Sequence, residues 1–203
     1  MEATYFKRHP FFKDVLGILL FIVCVLVGTL LINSFVFRSF NVLGPSMEKT
    51  LYTGDRLIVN RLPVTWAQLQ NKQYVPQRGQ IIVFKNPQYN PGQGDEFIVK
   101  RVIAFAGERV TVKDGVLKVY NGAHPDGFEP DKAQANDHGS QPGSPTSGSV
   151  DTTVTEGTLF VSGDHREGDF SFDSRSGLGL IPLYDVVGPV SMRIYPLTQI
   201  RFY

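Results

Sequence analysis

The sequence predicts an all-β domain behind a single N-terminal membrane-spanning helix. Three observations carry that prediction. From Val15 to Phe37 the chain reads VLGILLFIVCVLVGTLLINSFVF, with no charge between Asp14 and Arg38. Beyond it, short β-branched and aromatic runs recur between Gly, Pro, Asn and Asp, as strands recur between turns. Only one later stretch, near Thr65 to Tyr74, has the makings of a short helix, and many strands with few helices indicate a β architecture.

Taken in order, residues 1–14 form a leader that carries Lys7, Arg8 and Lys13. The apolar run 15–37 follows, and at about 1.5 Å per residue it is long enough to cross a bilayer core with some tilt. A cleaved signal sequence has a core of only about 7–15 residues and ends at a small-x-small site. This run is longer and leads into Asn33, Ser34 and Phe-Val-Phe-Arg-Ser-Phe, so it reads as a retained anchor. The basic leader favours a cytoplasmic N-terminus in the cell membrane, although Arg38 weakens the contrast. Residues 38–203 would then form an extracytoplasmic domain.

Within that domain the strand candidates are DRLIVNRL (55–62), GQIIVFK (79–85), EFIVKRVIAF (96–105), ERVTVK (108–113), GVLKVY (115–120), TLFVS (158–162) and VVGPVSMRIY (186–195). Asp114-Gly115 joins two of them as a two-residue hairpin turn, because glycine tolerates positive φ. Residues 121–150 are crowded with Gly, Pro, Ser, Asp and Asn and have little to bury. They read as a mobile insertion between strands.

Several chemistries are disfavoured by composition. There are 20 Lys+Arg against 19 Asp+Glu, so no large basic surface advertises a nucleic-acid partner. The four histidines, His9, His124, His138 and His165, show no metal-ligand spacing, and the single cysteine, Cys24, lies in the apolar run. No metal or cofactor is expected. One serine, Ser46, sits in the turn GPSMEKTLYTGD and needs a base to become a nucleophile. None of the histidines stands in a Ser/His/Asp context, but a lysine serves if burial disfavours its ammonium form. In EFIVKRVIAF, period-two alternation puts Ile98, Lys100, Val102 and Ala104 on one strand face. Pattern alone leaves two readings for Lys100. It is a desolvated base, or its stem snorkels and its amine stays in water, the commoner arrangement.

The order of blocks supplies what the pattern lacks. VLGPSMEKTLYTGDRLIVNR, RGQIIVFKNP, VKRVIAFAGERV and SGDHREGDFSFDSRSGLGLIP follow one anchor. Together they resemble the bacterial type I signal peptidases, membrane-anchored Ser/Lys proteases that remove signal peptides. The resemblance covers most of the chain and implies the β-barrel-like catalytic fold that this family shares with LexA-like proteins. It implies Ser46 as nucleophile and Lys100 as general base, with Ser171 orienting the lysine. It also implies an oxyanion hole that includes the Ser46 N–H. At Gly44 some members carry a serine hydroxyl that helps there. Phe40, Val42 and Val99 match positions lining the pockets for small-x-small cleavage sites. Asp164, Arg166, Asp173 and Arg175 match residues whose salt bridges fix the loop beside the site. Secretory preproteins at the surface of the lipid bilayer are the implied partners.

This chain departs from the family at Lys49, which replaces a proline, at Gln80, which replaces an aspartate, and at His165, which replaces an asparagine. The stretch from Arg166 to Asp173 is also longer than the family's, which puts the reach of Ser171 in question. Two other readings remain at this stage. One is a membrane-tethered, non-catalytic homologue or binding domain. The other is a LexA-like self-cleaving protein, although no helix-turn-helix pattern precedes the β region.

Overall fold

The structure is a computed structural model that describes residues 10–92, 94–134 and 142–203. Most of the leader therefore lies outside the described residues, Lys7 and Arg8 included. Helix α1 spans Pro10–Leu31 and continues as a π-turn over Ile32–Val36. Its apolar side chains are exposed almost throughout, Phe21 at 68 % and Leu30 at 66 %, the reverse of a soluble core helix. The anchor expected over 15–37 thus gains a turn at its start. It loses Phe37, which opens strand β1, because the φ and ψ of that residue are extended.

Strands β1 (Phe37–Asn41), β2 (Arg56–Asn60), β3 (Ile81–Lys85), β4 (Phe97–Phe105), β9 (Thr158–Ser162), β10 (Ile181–Pro182), β11 (Val186–Tyr195) and β12 (Arg201–Phe202) build the larger sheet. Its order is β1-β2-β11-β3-β4-β9-β10, with β12 beside β11, and every pairing is antiparallel. The long β11 pairs with β3 through its first half and with β2 through its second. Register breaks at Val186/Gly188 and Val190/Met192 accompany that switch, and such bulges bend a sheet. Gly188 is required there, since a Cβ would strike the Asn60 carbonyl. The short helix α2 spans Leu62–Leu69, so it starts before and ends before the stretch from Thr65 to Tyr74 where a helix was expected.

A second sheet of order β7-β6-β5-β8 comprises β5 (Arg109–Lys113), β6 (Val116–Asn121), β7 (His124–Phe128) and β8 (Val150–Thr153). Asp114 at φ 52° and Gly115 at φ 80° make the predicted hairpin turn. The segment 121–150, expected to be a mobile insertion, carries regular structure over much of its described part. It contributes β7, the start of β8, and a short helix α3 (Pro130–Gln134), while 135–141 lie outside the described residues. Its polar, Pro-bearing sequence suits this role because β7 and β8 are edge strands, each paired on one side only.

Three buried clusters hold the domain. The first gathers Val42, Met47, Leu51, Leu57, Val59, Ile81 and Val83 under the Ser46 turn, and the second centres on Ile82, Phe84, Val102 and Val161. The third, around Val110, Leu117, Val119 and Phe160, joins the two sheets and takes both Ile103 and Ala104. Strict alternation along β4 therefore fails at Ala104. A register break between Val102 and Ala104 turns that residue away from the Lys100 face.

Candidate active site

The Ser46 turn is built downward from its buried neighbours. Met47 and Leu51 are 1 % and 0 % exposed, and the Met47 carbonyl accepts the N–H groups of Thr50 and Leu51. Glu48 N–H closes the turn on the Pro45 carbonyl at 2.9 Å. Ser46 is left half-buried at the mouth of a cleft. Its backbone N–H has no hydrogen-bond partner among the described residues. Gly44 adopts φ +82°, a conformation a serine would hold only with strain, and its carbonyl accepts the Thr53 hydroxyl.

Lys100 enters from β4. Its Nζ lies 2.7 Å from Ser46 Oγ and 3.1 Å from the Val99 carbonyl, and the residue is 3 % exposed. The amine does not snorkel. Burial pulls its pKa from the ordinary lysine value down to about 8, against the raising influence of the Asp173 and Asp164 carboxylates. Arg175 adds to the lowering and Asp95 opposes it. A charged Lys100 donates to the serine oxygen. A neutral one accepts the serine O–H, the arrangement that generates a nucleophile.

The third side is the loop 163–175. Gly163 permits its closest approach, because a Cβ there would collide with both Ser171 Oγ and the Ser46 carbonyl. His165 pins the nucleophile turn from outside. Its N–H donates to the Ser46 carbonyl at 3.1 Å and its Nδ1 lies 3.2 Å from the Pro45 carbonyl. Ser171 is 3 % exposed, so the longer loop keeps it inside, but its hydroxyl donates to Asp173 Oδ2 at 2.6 Å. The hydrogen bonds of Lys100 go to Ser46 and Val99. Asp173 also accepts the Gly163 N–H and the Arg175 guanidinium. Against burial, the Arg175 bond leads in holding its carboxyl below the usual range.

The four loop charges are all ion-paired, though two take partners from elsewhere in the chain. Asp164 accepts Arg101 at 2.5 Å and the Thr50 hydroxyl at 2.5 Å, all three buried. Arg166 is fully buried and makes a fork to Asp131 of α3 at 2.6 and 2.7 Å, with its Nε on the Gly163 carbonyl. Asp173 and Arg175 pair with each other. Sequence reasoning missed Gly163, Arg101, Thr50 and Asp131. Arg101 stands next to Lys100 in a quoted block, whereas Asp131 sits in the segment read as having little to bury.

Phe40, Val42, Val99, Gly44, Ser46 and Lys100 all line one cleft of about 390 Å³. Phe97 closes its floor with Phe40 at 5.2 Å between ring centroids. The added length of the 166–173 loop is spent on its wall, where Phe170 and Phe172 are 57 % and 46 % exposed. Phe170 stacks on His165 at 4.5 Å. Beside the cleft, residues 97–100 of β4 pair with β3 alone, since β9 meets β4 only from Arg101 onward. Among the described residues no cluster of three or more His, Cys, Asp or Glu could hold a metal ion.

The profile of the family described as signal peptidase, peptidase S26, matches residues 14–195. Signal peptidase I of Bacillus licheniformis is 32 % identical over 203 residues, covering 98 % of this chain and 97 % of that protein. Signal peptidase I of Bacillus caldolyticus is 35 % identical over 200 residues, covering 97 % and 94 %. Signal peptidase I T of Bacillus subtilis strain 168 is 33 % identical over 181 residues, covering 89 % and 85 %.

Proposed function

This chain belongs to the signal peptidases of family S26 and is a serine endopeptidase that removes signal peptides by Ser/Lys chemistry; we propose that Ser46 and Lys100 are its dyad. The observation that carries the assignment is the 2.7 Å contact between Ser46 Oγ and an amine buried enough to be neutral near pH 8. Neutral Lys100 takes the serine proton as Oγ attacks the scissile carbonyl, and the protonated amine returns a proton to the leaving amine. An acyl-enzyme on Ser46 remains. Lys100, neutral again, then removes a proton from the attacking water and returns it to Ser46 Oγ as the acyl C–O bond breaks, which releases the carboxyl product and restores the serine. The Ser46 N–H, without a hydrogen-bond partner among the described residues, donates to the oxyanion in both steps in this reading, and the backbone at Gly44 borders the same cleft. Ser171 positions Asp173 directly and Lys100 through it.

The preprotein lies extended along the unpaired edge of β4 at 97–100, adding main-chain hydrogen bonds to that strand. Phe40, Val42 and Val99 shape the pockets for the small residues before the cleaved bond. The apolar α1 anchors the enzyme as a single span, with the leader in the cytoplasm and the cleft outside.

Cleavage of a model preprotein in detergent tests the dyad. Ser46→Ala and Lys100→Ala are each expected to abolish turnover, and full activity in either variant sinks the assignment. Alanine at Phe40, Val42 or Val99 is expected to shift selectivity at the cleavage site, and unchanged selectivity removes that residue from the pocket.

A further inference from the structure

The start of α2 holds features that the dyad chemistry leaves unused. Arg61 precedes the helix, and its Nε is buried with no hydrogen-bond partner among the described residues. Burial and then the neighbouring Arg38 charge pull the Arg61 guanidinium below its usual pKa. Among the described residues no carboxylate pairs with either guanidinium. Arg38 instead lies over the rings of Phe40 and Phe97, at 5.1 and 4.6 Å from their centroids. Guanidinium groups are cations at neutral pH. Among the described residues the fold thus assembles two cations and supplies no anion.

The helix itself adds a second, independent observation. Leu62, Trp66 and Leu69 recur at i, i+4 and i+7, which puts them on one face, and they are 48 %, 65 % and 73 % exposed. Val64, on the opposite face, is 5 % exposed. The apolar stripe therefore points away from the domain.

Location joins the two features. Arg61 N–H donates to the Val36 carbonyl and Thr65 Oγ1 to the Phe35 carbonyl, both at 2.8 Å. Both features thus begin at the last turn of the apolar span Phe11–Val36. At about 1.5 Å per residue its 26 residues cover roughly 39 Å, against a hydrocarbon core of about 30 Å. Its ends accordingly fall among the headgroups, where phosphates lie and tryptophan concentrates.

We propose that Arg61 and Arg38 bind the phosphate of an anionic phospholipid while the Leu62–Trp66–Leu69 face of α2 beds at the boundary of headgroups and acyl chains. This second membrane contact rests on the reading of α1 as a membrane span. It holds the cleft, whose Phe40 and Phe97 carry Arg38, at the bilayer surface.

Trp66 is the only tryptophan, so the full chain reports on itself. In nanodiscs of phosphatidylcholine, its emission is expected to shift to shorter wavelength and to be quenched by lipids brominated near the top of the acyl chain. Aqueous acrylamide is expected to quench it weakly. Added phosphatidylglycerol is expected to strengthen the bromine quenching, and the Arg38→Gln/Arg61→Gln variant to lose that increment. Water-like emission, open to acrylamide, from a chain shown to be inserted overturns the α2 contact. An increment unchanged in the double variant overturns the phosphate site. So does a rise in KM of that variant that is the same with and without phosphatidylglycerol, which would assign the arginines to the substrate. A chain that does not enter nanodiscs at all sinks the anchor, and this proposal with it.

Discussion

Lys100 is held between opposed influences. Burial lowers its pKa to about 8, while the carboxylates of Asp173 and Asp164 keep it from falling further. At pH 7 only about one lysine in ten is then neutral. We expect kcat/KM for preprotein cleavage to climb about tenfold per pH unit below pH 8 and to level above it. A profile flat between pH 6 and 8 would remove Lys100 as the base. The same burial has a stability cost. The folded pKa lies below the unfolded value, so between about pH 8 and 10.5 the unfolded chain holds the extra proton and stability rises with pH. Below pH 8 the penalty is constant. Lys100→Met is therefore expected to be inactive yet more stable at pH 7, by on the order of 3 kcal/mol, and to lose that slope in chemical denaturation across pH. The proposed dyad was legible only with the family's blocks beside the pattern, since Ser46 stood as a serine in a Gly-Pro turn and alternation alone left Lys100 open between a base and a snorkelling stem. Gly163 and Arg101 were not, because their importance lies in which distant atoms come close, and periodicity carries no such information.

At the scale of elements, α3 and the 163–175 loop form one unit through the fork from Arg166 to Asp131. Arg166 also holds the carbonyl of Gly163, the residue pressed against the Ser46 turn. Asp131→Ala leaves a buried guanidinium unpaired and is expected to cost about 3 kcal/mol, read as a lowered midpoint in urea. Adding Arg166→Met removes the stranded charge and should recover much of that loss. An Asp131→Ala variant as stable as wild type would show the fork to be idle. Strands β2 to β6, β9 and β11 were legible as β-branched and apolar runs, alternating where one face is buried and continuous where both are. β7 and β8 were not, since edge strands in a polar, Gly- and Pro-rich segment show little hydrophobic periodicity. β1 was missed for the opposite reason, its first residue being apolar enough to be counted with the anchor.

For the whole molecule, the junction between anchor and catalytic domain decides how the two cooperate. The π-turn passes into β1 without a linker, β1 pairs with β2 over five residues, and the Val36 and Phe35 carbonyls are tied to α2. The same strand carries Phe40 at the cleft. Inserting a short Gly-Ser segment between Val36 and Phe37 is expected to keep hydrolysis of a soluble peptide near wild type. On a membrane-inserted preprotein it is expected to scatter the cleavage position, read by mass spectrometry of the products. A single unchanged product would show that the junction sets nothing. Ser46 lies ten positions beyond Val36, at most about 35 Å of chain and less once it turns. A blade mounted on so short and stiff a post works as a depth gauge. It meets only bonds presented at one height above the lipid, so the reach of a preprotein's own stalk becomes part of what the enzyme selects.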